Sequence, residues 1–282
     1  MNIGIVGLGL IGGSVARAYR AYSDKNSLDF KIFGHDINKP ILDFAIMSGV
    51  LDGALDVDAI KKCDLVFIGL YPDESIEYLK ENADKLSPDA LVIDLCGTKS
   101  EICRVGFDLA KAHGFTFVGG HPMAGTHNSG YKYSRANMFS GAPMVIVPPS
   151  FDDIELLGKV RSLLSPLGFG RYSVTSAEEH DRLIAFTSQL AHVVSNAYVK
   201  SPTAREHSGF SAGSYKDMTR VAWLNEVMWT ELFFENKEPL LFEINSLINS
   251  LTEYRDALTS DDKEKMRNLL RDGRIAKEEI DK

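Results

Sequence analysis

Cysteine is scarce here: three residues in 282, Cys63, Cys96 and Cys103. They are too few and too scattered for a disulfide framework or a zinc-binding pattern, so no metal is expected and a reduced, cytoplasmic setting is the default. Long apolar runs are also missing. No uninterrupted stretch could span a bilayer, and the apolar N-terminus lacks the basic flank of a signal peptide and is too rich in glycine for one. Basic blocks are missing as well. With 31 Lys and Arg against 39 Asp and Glu, the formal net charge of −8 argues against a phosphate-backbone binder. Neither nucleic acid nor membrane is an expected partner, and no repeat or low-complexity tract is evident. What remains is ordinary globular composition, 44% hydrophobic and 25% charged, at a length that favours two domains.

The densest information lies in the first fourteen residues. Asn2-Ile3-Gly4-Ile5-Val6 reads as a buried strand, followed by Gly7-Leu8-Gly9-Leu10-Ile11-Gly12-Gly13-Ser14 and a helical stretch. Strand, G-x-G-x-x-G and helix in that order form a dinucleotide fingerprint. Gly7 allows the tight turn, Gly9 lets backbone approach a pyrophosphate, and Gly12 lets helix and strand pack closely. The free N–H groups at the helix start favour the phosphates. Gly7, Gly9, Leu10, Ile11 and Gly12 are therefore the expected cofactor contacts. Phe30 to Phe33 reads as the next strand and leads to Asp36, whose carboxylate suits an adenosine ribose and would repel a 2′-phosphate. No arginine follows it, and the nearby cation is Lys39. NAD is expected over NADP.

Further along, strands and helices alternate. A helix over 38–48 stops at Gly49. A third strand covers Cys63 to Leu70, with a helix from Pro72 to about Leu86. A fourth strand covers Ala90 to Leu95, with a helix from Lys99 to His113. Strands at Thr116–Gly120 and Pro143–Val147, a helix at Ile154–Leu164 and a short strand at Arg171–Val174 complete the series. Alternation of this kind predicts a doubly wound, Rossmann-type sheet covered on both faces. After Thr175 the pattern changes. Ser176 and Glu179 fit a capping box, a long apolar-periodic segment runs to about Lys200, and helices are predicted over 214–236, 239–259 and 261–280. The expected division is a dinucleotide-binding domain over 1–174 and an all-helical domain over 175–282. Leu232, Phe233, Leu240, Leu241, Phe242, Ile244, Leu247 and Ile248 exceed what one small bundle buries, so a homodimer through the C-terminal helices is expected.

In open α/β sheets ligands gather beyond the carboxyl ends of the strands. Three clusters fall there: Leu70-Tyr71-Pro72, Asp94 to Ser100, and Gly119-Gly120-His121-Pro122-Met123-Ala124-Gly125-Thr126-His127. Leu70 and Tyr71 are added to the cofactor contacts. His121, at a strand end, sits where a nicotinamide's reacting carbon should lie. Its imidazole, with an unperturbed pKa of about 6.5, suits removal of a hydroxyl proton. In the helical half, His180 and Asp181 have two open readings, direct function or ordinary helix-end packing and charge. Ser188 and His192 lie four apart on one helix face. Arg220 could clamp a carboxylate bidentately or pair with Asp217. Trp229 could wall a pocket, with core filling the default.

Four of these segments together resemble the prephenate dehydrogenase family: Gly7 to Ser14, Gly120 to Gly125, Glu179-His180-Asp181 with Ser188 to His192, and Asp217-Met218-Thr219-Arg220. The likeness runs in order from the N-terminus to at least residue 230. It implies His121 as the catalytic histidine on the substrate's ring hydroxyl, Arg220 on the ring carboxylate, and His192 with Trp229 in the pocket. It implies NAD-dependent oxidative decarboxylation of prephenate to 4-hydroxyphenylpyruvate, a step of tyrosine biosynthesis, or the corresponding reaction of arogenate. Many members carry D-x-G-S-x-K after the fourth strand, with a serine beside the histidine. Here Gly97 stands in its place, and the adjacent Thr98 is the candidate replacement hydroxyl. His127 stands where many relatives have an acid. Two rivals are a β-hydroxyacid-type dehydrogenase, which needs a lysine where this chain offers Ser188 and His192, and a non-catalytic NAD-responsive protein, which needs no His121.

Overall fold

The computed structural model describes residues 1–126 and 128–281. Eight strands form one sheet: β1 (Asn2–Val6), β2 (Lys31–His35), β3 (Gly53–Ala54), β4 (Leu65–Ile68), β5 (Leu91–Asp94), β6 (Thr116–Pro122), β7 (Pro143–Val147) and β8 (Arg171–Val174). Their spatial order is β3-β2-β1-β4-β5-β6-β7-β8. All neighbours run parallel except β6 and β7, which pair antiparallel with His121 opposite Val145. The chain winds outward from β1 to β3, then returns to β4 on the other side of β1. That reversal opens a crevice above the carboxyl ends of β1 and β4.

Every residue of β4 and β5 is buried, because helices cover both faces. Alternate side chains feed two separate cores. Leu65, Phe67, Leu91 and Ile93 pack with Val15 and Tyr19 of helix α1 (Leu10–Lys25), with Val160 of α6 (Ile154–Leu163) and with Leu164 just past its end. Val66, Ile68 and Val92 pack with Ile76, Leu79, Ile102 and Val105 of α4 (Pro72–Asn82) and α5 (Ser100–His113). Helix α2 (Lys39–Met47) lies within the predicted 38–48 span. Between Gly49 and Cys63, where the apolar pattern predicts nothing, the chain forms β3 and the short helix α3 (Val57–Ile60), the latter capped by Asp56. Two-residue strands and one-turn helices are too brief for periodicity to register.

Beyond β8 the described elements are helical, as expected. Helices α7 (Ala177–Ile184) and α8 (Ala191–Tyr198) form one rod through a π-helical turn at Ala185–Leu190. They are followed by α9 (Gly213–Thr219), α10 (Glu226–Glu235), α11 (Lys237–Thr259) and α12 (Lys263–Ile280). The single helix predicted over 214–236 is two helices. The helical run ends at Arg220, and Asn225 begins a new one, its side chain accepting the Met228 N–H at 3.0 Å. The capping box at Ser176 is only half formed. Ser176 Oγ accepts the Glu179 N–H at 3.2 Å, but the Glu179 carboxylate turns to Arg182. Among the described residues no helix is long and apolar enough to cross a membrane.

One ion pair lies wholly inside the sheet region. Lys99 Nζ pairs with Asp94 Oδ2, both side chains fully buried. Asp94 also accepts the N–H groups of Cys96 and Gly120, at 2.9 and 3.2 Å. It thereby ties the loop after β5 to the residue preceding His121. Replacing Lys99 by Met leaves that carboxylate uncompensated, and the expected loss is about 3–5 kcal/mol of folding stability in urea titrations. A loss below about 1 kcal/mol, the range of exposed pairs, would mean the buried pair contributes no more than a surface one.

Candidate active site

The glycine loop has the geometry of a dinucleotide cradle. A Cβ on Gly12 would lie 1.9 Å from the Gly7 carbonyl oxygen, so only glycine lets α1 start this close to β1. A Cβ on Gly9 would meet nothing within 4 Å, and no side chain caps the α1 N-terminus that begins there. Free helical N–H groups therefore face open space above the crevice. Asp36 stands at its edge, with Oδ2 accepting the Leu8 N–H at 2.8 Å and Oδ1 the Asn38 N–H at 2.7 Å. Each oxygen keeps further acceptor capacity. Lys39 is engaged by Asp43 at 2.7 Å, not held towards Asp36. Ile37 is 94% exposed beside Asp36, an apolar surface that periodicity gave no reason to single out. Leu10 and Ile11 open α1. Leu70 touches the Gly7 position, and Tyr71 begins α4 across the crevice.

His121 ends β6 in a crowded setting. A Cβ on Gly120 would come within 2.6 Å of the Asp94 carbonyl oxygen, which explains the glycine before the histidine. His121 Nδ1 lies 2.8 Å from His180 Nε2, and His180 Nδ1 lies 2.7 Å from Asp181 Oδ1. Asp181 also accepts the backbone N–H groups of Lys99 and Ser100, both at 2.8 Å, and the Ser100 hydroxyl. Burial pushes the His121 pKa well below its ordinary value, and the charges of His180 and Lys99 add to it. Burial likewise lowers His180 against the pull of Asp181. Asp181 stays below the usual carboxylate range, because hydrogen bonds from His180 and Ser100 outweigh its burial. At neutral pH the trio is one carboxylate and two neutral imidazoles. Besides their places at the start of α7, these side chains touch His121 and the first N–H groups of α5.

On the rod that carries His180, the Ser188 carbonyl accepts the Ala191 N–H at the end of the π-turn and also the His192 Nδ1–H, the latter at 2.8 Å. The Ser188 side chain itself makes no hydrogen bond among the described residues. Trp229, at the core-filling default, is instead half-buried and stacks on His192 with ring centroids 4.0 Å apart. Arg220 is exposed and forms no ion pair with Asp217 or another described carboxylate. Its charge reaches His192, whose pKa is lowered by burial first and by Arg220 in addition. Thus His121 meets His180, and His192 meets Trp229 and Ser188, while Arg220 is linked to the group through its field. His127 lies outside the described residues.

Thr98 departs from expectation. Its hydroxyl donates to Glu235 on α10, not towards His121. Glu235 and Glu231 approach Asp73, and Glu231 also accepts the Asp73 N–H at the start of α4, at 2.8 Å. Burial, with help from Asp73 and Glu231 and against the Thr98 hydrogen bond, pushes the Glu235 carboxyl up to about 7. A raised carboxyl pKa means the folded protein binds the proton more tightly than the unfolded one. Stability therefore falls as pH rises from the ordinary glutamate value towards about 7. Glu235→Gln keeps an acceptor for Thr98 but carries no titration. The variant should match the wild type in Tm at pH 4, below the ordinary glutamate value, and exceed it at pH 7.5; equal differences at both pH values would refute the assignment.

Known proteins resemble this chain along nearly its whole length. Residues 15–171 match the family profile described as prephenate dehydrogenase, nucleotide-binding domain, and residues 176–272 match prephenate dehydrogenase, dimerization domain. A prephenate dehydrogenase of Lactococcus lactis subsp. cremoris is 28% identical, over 96% of this chain and 75% of its own length. The crystal structure of prephenate dehydrogenase from A. aeolicus in complex with hydroxyphenyl propionate and NAD+ is 29% identical with a TM-score of 0.79, covering 99% and 98% of the two chains. That of Synechocystis arogenate dehydrogenase is 25% identical with a TM-score of 0.81, covering 99% and 100%. With both of its halves matched in order, the chain belongs to the prephenate dehydrogenase family, a Rossmann-type nucleotide-binding domain followed by a helical dimerization domain.

Proposed function

We propose that this protein is an NAD-dependent prephenate dehydrogenase, and the observation that carries the reading is His121 at the carboxyl end of β6, beside the dinucleotide crevice and with its Nδ1 2.8 Å from His180 Nε2. The open cradle at Gly9 and the uncapped start of α1 fit a pyrophosphate. Asp36 fits the ribose hydroxyls of NAD and disfavours a 2′-phosphate, with Lys39 already engaged. When bound, the dinucleotide supplies the acceptor for the hydride that leaves the ring as CO2 departs. His121 takes the proton of the ring hydroxyl, which pushes electron density towards the departing hydride. Arg220, lacking a carboxylate partner of its own among the described residues, is free to hold the ring carboxylate, with His192, Trp229 and Ser188 lining the pocket. Because aromatisation drives the reaction, the protein's task is orientation and proton removal.

The same reading includes a division of labour between residues 1–174 and 175–282, and a homodimer. Phe234 and Phe242 on α10 and α11 are 72% and 70% exposed, and Ile248, Leu251 and Leu258 continue the apolar surface along α11. A second copy of these helices would cover it. The likeness to the Synechocystis enzyme supports arogenate as a second reading for the substrate.

Assays with prephenate or arogenate, each with NAD+ or NADP+, test the proposal. Turnover is expected with prephenate and NAD+, and activity confined to arogenate would transfer the assignment to the second reading. His121→Asn should lower kcat roughly 10²–10⁴-fold with little change in KM; near-wild-type turnover would remove His121 from the mechanism. Arg220→Ala should raise the substrate KM by the equivalent of about 2 kcal/mol or more. An unchanged KM would give Arg220 a structural role.

A further inference from the structure

Neither residue at the expected serine position holds His121. Gly97 has no side chain, and a Cβ there would lie 3.2 Å from Leu232 Cδ2, so α10 occupies that space. Thr98 is committed to Glu235. His121 is held instead by a residue of the helical domain. We propose that His180, locked by Asp181, is the positioning residue that fixes the tautomer of His121 and keeps the lone pair of its Nε2 directed at the substrate hydroxyl. The inference rests on the reading of His121 as the proton acceptor.

The direction of each hydrogen bond follows from the one before it. An ionised carboxylate only accepts. Asp181 Oδ2 takes the Ser100 N–H and hydroxyl, and Oδ1 takes the Lys99 N–H and faces His180 Nδ1. His180 therefore carries its proton on Nδ1, and as a neutral ring it presents a lone pair at Nε2. Two lone pairs cannot face each other at 2.8 Å, so His121 carries its own proton on Nδ1 and donates it to His180. A neutral His121 then has its lone pair on Nε2, which makes no hydrogen bond among the described residues. When it accepts the substrate proton, the new N–H bond forms at Nε2 and the Nδ1–H stays with His180. The resulting imidazolium lies two hydrogen bonds from a fixed negative charge. Because His121 is on β6 and His180 on α7, the base is correctly set only while the two domains are docked.

The chain can be read directly by nitrogen-15 NMR of histidine-labelled full-length protein without substrate, with signals assigned through H121N and H180Q. Both His121 and His180 should carry their proton on Nδ1 in the wild type. In H180L, His121 loses its acceptor and should shift the proton to Nε2. In H180Q, the side-chain amide offers an oxygen to His121 and an N–H to Asp181, so His121 should keep the wild-type tautomer. Kinetically, H180L should lower kcat at least about 10²-fold with substrate KM unchanged, as for other histidines held in the wrong tautomer, and H180Q should recover most of that loss. A wild-type His121 protonated on Nε2, or H180L with wild-type kcat, would overturn the proposal. The tautomer is read on the wild-type protein, so the decision does not depend on H180L folding. Nor does it depend on whether prephenate or arogenate is turned over.

Discussion

Helix α5 begins without a capping side chain of its own, since Lys99 at its N-cap makes no such hydrogen bond. Its first free N–H groups are instead satisfied by Asp181, which lies in the first two turns of α7, some eighty residues later in sequence and in the other domain. A buried carboxylate is costly unless every oxygen is paired. Here four donors from two elements converge on it, together with the favourable end of the α5 dipole. The backbone carbonyl of Asp181 is used as well, accepting Asn236 Nδ2 at 2.8 Å. The same contact docks one domain on the other, caps the helix after β5 and sets the imidazole that reaches His121. Site geometry and domain docking are thus one energetic problem.

The elements legible in the sequence were those whose signal is local and long. Buried strands with both faces covered, the glycine loop and the histidine at a strand end are all read from a few consecutive residues. The residues that escaped are those whose partners are remote. Nothing in Ser176-Ala177-Glu178-Glu179 says that Glu179 will choose Arg182, one turn ahead, over the free N–H behind it. Nothing in Asp94 to Lys99 says that Thr98 will face Glu235. His180 and Asp181 were visible as residue types of interest, but their role depends on a loop more than eighty positions away. The acid at 235 offered no motif at all.

Helix α10 shows how one missed boundary can hide an organising element. Trp229 stacks on His192, Glu231 takes the first free N–H of α4, and the Leu232 carbonyl accepts Gln189 while its side chain fills the space beside Gly97. Glu235 holds Thr98, and Asn236, just past the helix end, bridges Asp181 and Gln189. Within eight residues this element touches the start of α4, the loop after β5 and the α7–α8 rod. It is the bracket that joins these three segments.

The break before α10 has a geometric reason. In an unbroken helix, residues nine apart are separated by about 13.5 Å along the axis and about two and a half turns, so they face opposite sides. Arg220 and Trp229 stand nine apart, yet the charge of one and the ring of the other both bear on His192. A single helix over 214–236 could not bring them to the same imidazole. Ending the helical run at Arg220 and restarting at Asn225 lets both do so. The irregular segment over 220–225, which helix periodicity passes over, therefore lies between a guanidinium and an indole that both bear on His192.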